Sequence, residues 1–482
     1  MWAVRCFPKP EELFHGPAVI ACHAAQVMRG ESIYTDWRSQ PHVATVYGPL
    51  TYVLPGWVGR TLGVDVNGLY QIGRALSLLS AIGIGFVVYG LARRIGVERG
   101  FAVMAALAAV SSPVYWTVCC ELRGEPPATL CSLLAVWWFL RFDGRPCRWE
   151  AALFIALSFL FKQSAILPLP AITLFLWLAR RRGEAVLFGA ATAAGIAGLI
   201  VGLNAATGNL YWLNAFGALH GNRAAFNLAI WPAAVLPICL AQYVLAAIGL
   251  ANRRRRGGSW TLLDWYFLVS LILPVLMTWR DGAAEYYFME SVAVAGVLMA
   301  AQLQQWRRSS ATARSNRPVI TMAGWLPAAV AVAGLLQLQP NVARRVEEAW
   351  RVRSLAAVEQ AEHRRRVAEF RDLPGPVLSQ IDDLTMHDGR EPVILDTWLF
   401  SGLIEQGVFD DSGIRAALEA GRYRSVVLRL PAELVQRYGG TTYFPRAWLR
   451  IIARRYQPAG RISGRFYVYQ PNESTAGLPA KP

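Results

Sequence analysis

The chain is 482 residues long, 54% hydrophobic and only 17% charged, with a formal net charge of +16. That balance excludes a single soluble domain and points to a polytopic membrane protein. The basic excess does not point to nucleic acid either, because the arginines sit in short gaps between apolar spans, where a membrane topology explains them.

Residues 1–74 precede the first confident span. The opening MWAVRCFPKP is neither a signal peptide nor a span. Residues 17–28 read as a mostly apolar helix, too short to cross and suited to the interface. Residues 48–63, with Pro49 and Pro55, read as a segment at the membrane edge. Apolar spans follow at roughly 76–95, 101–119, 127–141, 149–162, 165–179, 185–205, 227–250, 261–279, 286–305 and 318–338. Three of these fall well short of the ~20 residues of a full crossing.

Arginine clusters occupy almost every second gap. They are Arg93, Arg94 and Arg99; Arg141, Arg145 and Arg148; Arg180 to Arg182; Arg253 to Arg256; and Arg307, Arg308, Arg314 and Arg317. Charge retention makes these gaps cytoplasmic. The alternate gaps, with Glu121, Glu125, Asp281 and Glu285, then face outward. The stretch 149–180 is too long for one crossing and has arginines at both ends, so it reads as a hairpin turning outside at Phe161-Lys162-Gln163-Ser164. No internal repeat suggests an inverted-repeat transporter.

The expected division is a membrane domain over 1–340, with residues 1–74 external, and an external soluble domain over 341–482. The latter begins with a charged helix at about 341–371. Strand signals follow at 376–378, 393–395, 425–428 and 465–469, alternating with helical stretches near 411–420 and 445–455. That alternation predicts a small α/β domain. The fold class is therefore mainly α: a transmembrane helical bundle of about ten spans with a small external α/β domain at the C-terminus.

The candidate chemistry lies on the outward side. Glu11 and Glu12 in the first loop, and Glu121 and Glu125 between two spans, are carboxylates at the membrane edge, where such a group can take a proton from an acceptor hydroxyl. Ordinary hydrated loop charges are the plainer reading. Lys162 is the one lysine among the spans, since the others are Lys9 and Lys481. With Gln163 beside it, it is either a point charge for a lipid-linked phosphate or a snorkelling interface lysine. Arg123, Arg223 and Arg280 are further external cations. Asp36 and the Tyr47-Gly48-Pro49-Leu50 turn mark the first loop, and 281–290 reads DGAAEYYFME. In that stretch Glu285 and Glu290 either serve a site or complement a helix N-terminus. Tyr211, Trp212, Tyr286 and Tyr287 suit an interface belt or a sugar platform. His15, His23, His42 and His220 show no HxxxH or HExxH spacing, and the cysteines show no CxxC pair, so neither zinc site nor disulfide framework is read from them.

These segments, in this order and on one side, resemble the GT-C superfamily of polytopic glycosyltransferases, especially bacterial protein O-mannosyltransferases and lipid A aminoarabinose transferases. Glu11 to Tyr34 resembles the family's first external loop, and Asp36 with Tyr47 to Leu50 its continuation. Arg123-Gly124-Glu125 resembles a second acidic motif, Phe161 to Ser164 a lysine-containing turn, and Gly282 to Glu290 a later loop with an aromatic pair. The resemblance implies a sugar donor on a polyprenyl phosphate, and a lipid, glycan or protein acceptor. It implies Glu12 or Glu11 as general base, and Lys162 and Arg123 as phosphate ligands. Glu125, Gln163, Asp36, Tyr47, Glu285 and Tyr287 join them as substrate-binding candidates. It also implies an inner (plasma) membrane of a bacterium, with the site on the periplasmic side. Some members use a divalent metal and others do not, so no cofactor is assigned. Two departures stand out. No span precedes Glu11, where the family places one and totals eleven. The distance from Glu12 to Gly30 is also about one helical turn longer than the family's. A transporter or lipid flippase, and a non-catalytic membrane scaffold, are the alternatives. The first predicts charges deep within spans, and the second predicts indifference to the loop carboxylates.

Overall fold

The computed structural model describes residues 16–116, 118–142, 149–218, 230–277, 284–313, 358–432, 434 and 443–472. Two helices come first, α1 (Pro17–Arg29) and α2 (Leu50–Leu62). The membrane helices follow: α3 (Val66–Arg94), α4 (Arg99–Val110), α5 (Glu125–Arg141), α6 (Trp149–Phe161), α7 (Pro168–Leu178), α8 (Arg182–Ala206), α9 (Ile230–Arg255), α10 (Leu262–Met277) and α11 (Met289–Ala313). Among the described residues, three helical stretches are long and apolar enough to cross a membrane: Val66–Arg94, Arg182–Ala206 and Glu285–Ser309. The expected span at 318–338 lies outside the described residues, as do Arg145, Arg148, Arg314 and Arg317.

The helix ends sort by charge. The Arg94 guanidinium donates to Leu140 O at 3.0 Å, Gln304 Nε2 donates to Gly96 O at 3.1 Å, and Arg307 and Arg308 both pair with Glu98. The arginine-bearing ends of α3, α5 and α11 thus share one end of the bundle. Lys162 and Glu125 meet at the opposite end. Phe86, Val201 and Leu107 are exposed large apolar side chains on the helix flanks, the surface that hydrocarbon covers.

Three boundaries differ from expectation for local reasons. Helix α3 begins ten residues before 76, because Asp65 caps it by accepting from Gly68 N at 2.9 Å. Helix α4 stops at Val110 and not 119, since Ser111, Ser112 and Pro113 end it and a short helix, Pro113–Trp116, follows. Helix α1 is not laid on the interface. Ala18 to Ala25 are buried throughout, and α1 packs against α2, α3 and the C-terminal domain.

The C-terminal part opens in a helix over 358–371; residues 341–357 lie outside the described ones. It continues with β1 (Val377–Ser379), α12 (Asp382–Asp388), α13 (Thr397–Glu405), α14 (Ser412–Glu419), β2 (Ser425–Leu428), α15 (Arg446–Arg455), β3 (Tyr456–Ile462) and β4 (Phe466–Pro471). The sheet order is β1-β2-β4-β3, parallel between β1 and β2 and antiparallel elsewhere. The strand signal at 393–395 does not enter this sheet. It makes one isolated parallel bridge, His42 with Ile394, through His42 N to Val393 O and Leu395 N to His42 O. Trp37 and Ala44 of the first loop lie in the same core as Phe400, Phe409 and Trp448.

Candidate active site

Four segments converge at the end opposite the arginines. The turn after α6 is fixed on both sides, by Lys162 N to Ser158 O at 2.8 Å and Ala165 N to Lys162 O at 2.9 Å. Residues 46–51 lie on this turn. Gly48 N and Thr51 Oγ1 both donate to Phe161 O, at 3.2 and 2.7 Å, and Gln163 Nε2 donates to Val46 O at 3.3 Å. The approach demands glycine twice. A Cβ on Gly48 would stand 2.1 Å from Leu160 O, and one on Gly124 2.3 Å from Thr51 Oγ1. The third segment is the start of α5, where Glu125 precedes Pro126 and Pro127, residues suited to a first helical turn. The fourth is the one-turn helix Glu285–Phe288 that leads into α11.

At their meeting point Lys162 Nζ pairs with Glu125 Oε1 at 2.9 Å, with side chains 9% and 3% exposed. This lysine does not snorkel. Its ammonium sits over the rings of Tyr286 and Tyr287, 4.2 and 4.4 Å from their centroids, and 5.8 Å from that of Tyr47. The Tyr286 and Tyr287 rings stack at 5.2 Å. Arg123 lies 6.0 Å over the other side of the cluster, on Tyr286. Glu125 Oε2 is buried and makes no hydrogen bond among the described residues. It is an acceptor held in reserve beside a cation. A cleft opens here, lined by Glu125, Thr129, Lys162, Tyr286, Tyr287 and Glu290. Tyr266 donates its hydroxyl to Glu290.

Of the residues expected from sequence, Arg123, Glu125, Lys162, Gln163, Tyr47 and Tyr287 come together. Asp36 does not: it is bound by Arg38 through both carboxylate oxygens, each at 2.8 Å, in an exposed turn. Glu285 is half-buried and makes no hydrogen bond or ion pair among the described residues. Glu11, Glu12, His15, His220, Arg223, Arg280 and Asp281 lie outside the described residues. Sequence reading passed over Arg74 and Glu121 as a pair. Both are fully buried, 4.0 Å apart, at the junction of α3 with the 121–124 turn. An arginine among apolar positions of α3 is the signal that marks it. Tyr286, which suits an interface belt or a sugar platform by sequence, is set against Lys162.

Glu125 and Glu121 each face a cation, not one another, so the described carboxylates of the cleft form no metal-ligand set. The described residues that cluster as metal ligands lie elsewhere, in His363, Asp383 and His387. Burial there pushes both imidazoles down, to about 4, aided for His363 by Arg366 and for His387 by its neighbours His363 and Arg371.

The family of dolichyl-phosphate-mannose-protein mannosyltransferases matches residues 67–212. No curated protein sequence matches the chain. Among solved structures the chain is similar to ArnT from Cupriavidus metallidurans. The form bound to undecaprenyl phosphate is 12% identical with a TM-score of 0.58, over 99% of this chain and 97% of that one. The apo form is 13% identical with a TM-score of 0.59 over the same shares. The oligosaccharyltransferase AglB from Archaeoglobus fulgidus, in complex with an inhibitory peptide and a dolichol-phosphate, is 12% identical with a TM-score of 0.52. That match covers 99% of this chain and 74% of AglB. Over 99% of its length the chain shares the fold of ArnT, the GT-C fold.

Proposed function

We propose that this chain is a membrane glycosyltransferase that moves a sugar from a polyprenyl-phosphate donor to an acceptor hydroxyl, in the cleft around Lys162. The observation that carries the reading is the buried ammonium of Lys162, held between Glu125 and the Tyr286–Tyr287 stack. A fixed cation in a dry cleft at the end of a membrane bundle suits the phosphate of a lipid carrier. Arg123 adds a planar guanidinium beside it. The undecaprenyl phosphate bound in one similar structure and the dolichol-phosphate bound in another support the same donor chemistry.

The acceptor oxygen attacks the anomeric carbon as its proton passes to a carboxylate. The bond from that carbon to the phosphate oxygen breaks, and the polyprenyl phosphate leaves on Lys162 and Arg123. Glu12, with Glu11 as the neighbouring choice, is the base of this reading. Gly16 lies against Arg123, with its built Cβ position 3.4 Å from the guanidinium. The arginine clusters gathered at the other end support an outward-facing site, and the resemblance to bacterial enzymes supports the periplasmic side of an inner membrane. In this reading the C-terminal domain is external, beside the site.

The test is transfer from a panel of labelled polyprenyl-phosphate sugars in membranes containing the chain. Glu12→Gln or Glu11→Gln is expected to lower kcat by at least ~100-fold, the usual contribution of a positioned base. Lys162→Met is expected to raise the donor KM and lower kcat. Folded protein that turns over no donor on the panel, or full activity in all three variants, would sink the proposal.

A further inference from the structure

We infer that His363, Asp383 and His387 form a zinc-type metal site that fastens the C-terminal domain to the first membrane helix. None of the three lines the cleft around Lys162. Asp383 and His387 are one turn apart on α12 and so share a face. His363 comes from the preceding helix, 358–371. His363 Nδ1 stands 3.8 Å from Asp383 Oδ2, and His387 Nε2 stands 3.7 Å from Asp383 Oδ1. One ligand atom from each residue lies within 4.8 Å of the others.

These spacings discriminate between two readings. A buried histidine–aspartate cluster kept for its hydrogen bonds would show N···O separations near 2.7–3.2 Å. The two found here are longer than that. Ligands at ~2.0–2.1 Å around a tetrahedral zinc stand about 3.3–3.4 Å apart, so an ion would draw each histidine–carboxylate pair in by roughly half an ångström and the widest pair of the set by up to ~1.4 Å. The residues are 2%, 6% and 8% exposed in chain order. His387 Nε2 is buried and has no hydrogen-bond partner among the described residues. A buried nitrogen facing a carboxylate from beyond hydrogen-bond length is what a metal would satisfy.

The surroundings fit as well. The imidazole planes of His363 and His387 meet at 77° with centroids 4.9 Å apart, edge to face and not stacked. Tyr70 donates its hydroxyl to Asp383 Oδ1 at 3.0 Å, the outer-shell hydrogen bond that orients a ligating carboxylate. Tyr70 belongs to α3, and α12 packs on α1. Two imidazoles and one carboxylate favour zinc over the hard, oxygen-seeking calcium or magnesium. They leave a fourth position for water. The ion's role is structural, since the ligands come from the domain and their orienting hydroxyl comes from the membrane helix.

The experiment uses the full chain in detergent. Purified protein is stripped with chelator, equilibrated with excess zinc, desalted and assayed for metal. Cobalt(II) is substituted in parallel and its visible ligand-field bands are recorded. The wild type is expected to retain one zinc per chain, to show the bands of a four-coordinate cobalt centre, and to melt higher with zinc than without. His387→Gln and His363→Ala are each expected to lower zinc affinity by at least ~10–100-fold and to lose the cobalt bands. Gel filtration confirms that the variants remain folded, and the wild-type arms need no variant. Monodisperse wild type that retains no zinc and gives no cobalt bands overturns the inference. So does undiminished binding in folded His387→Gln and His363→Ala.

Discussion

The ammonium of Lys162 lies 4.2 Å from the centroid of the Tyr286 ring, at the mouth of the cleft. The contact is electrostatic, between a cation and the negative face of the ring, and is worth about 2 kcal/mol where water is excluded. Tyr286→Phe keeps that face and is expected to leave transfer near the wild-type level. Tyr286→Leu removes it, frees the lysine to move, and is expected to lower kcat/KM about tenfold. Steady-state kinetics of the two variants side by side check the point. Equal loss in both would assign the effect to the hydroxyl.

Lys162 and Glu125 are a buried ion pair, and removing one partner strands the other. Lys162→Met is expected to destabilise the protein by about 3–5 kcal/mol. The double variant Lys162→Met/Glu125→Gln is expected to recover most of that loss, while remaining inactive if Lys162 holds the donor phosphate. Thermal melts of both single variants and the double close the cycle. A double variant no more stable than Lys162→Met would mean that the pair is not coupled.

At Gly48 any side chain meets the Leu160 carbonyl, 2.1 Å from where a Cβ would sit. The obstacle is backbone and cannot swing aside. Gly48→Ala is expected to cost at least about 3 kcal/mol, the upper part of the range for overpacking, and to detach residues 46–51 from the lysine turn. Lower yield of folded protein and loss of transfer are the readouts. A well-folded, active Gly48→Ala would contradict the geometry.

In the C-terminal domain Trp448 Nε1 donates to Asp411 Oδ2 at 2.7 Å, deep in the core. Trp448→Phe keeps the ring and removes the donor. A hydrogen bond to a charged group contributes about 1.5–3 kcal/mol, so the melting midpoint should fall by several degrees. A midpoint equal to that of the wild type would count against the bond.

What the sequence revealed depended on how local the signal was. Lys162 stood out because lysine is so rare in this chain, and its hairpin because arginines bracket it. The helices of the bundle were visible as apolar runs. The start of α3 was hidden, because Asn67, Gly68, Gln71 and Arg74 interrupt the apolar pattern ahead of residue 76. Arg74 is accommodated there with Glu121, 47 positions on, buried 4.0 Å from it. Strand β3 was hidden as well. Pro458, Gly460 and Arg461 are poor strand formers, and the five central residues of the strand are exposed at the sheet edge. The triplet 393–395 looked like a sheet strand, yet its partner is His42, some 350 positions earlier. For the cluster in the C-terminal domain, the Asp383–His387 spacing was readable. The third member, His363, is supplied by another helix.

The bridge between His42 and Ile394, with Trp37 and Ala44 sunk among Phe400, Phe409 and Trp448, has a bearing on biosynthesis. Residues 37–44 leave the ribosome before α3, but their resting place is made by residues more than 300 positions later. Contacts this distant in sequence form late. Residues 37–44 must therefore wait, uncovered, while helices α3 to α11 insert. A chain cut short before Trp448 would leave that loop without its seat, however well its helices had threaded the bilayer.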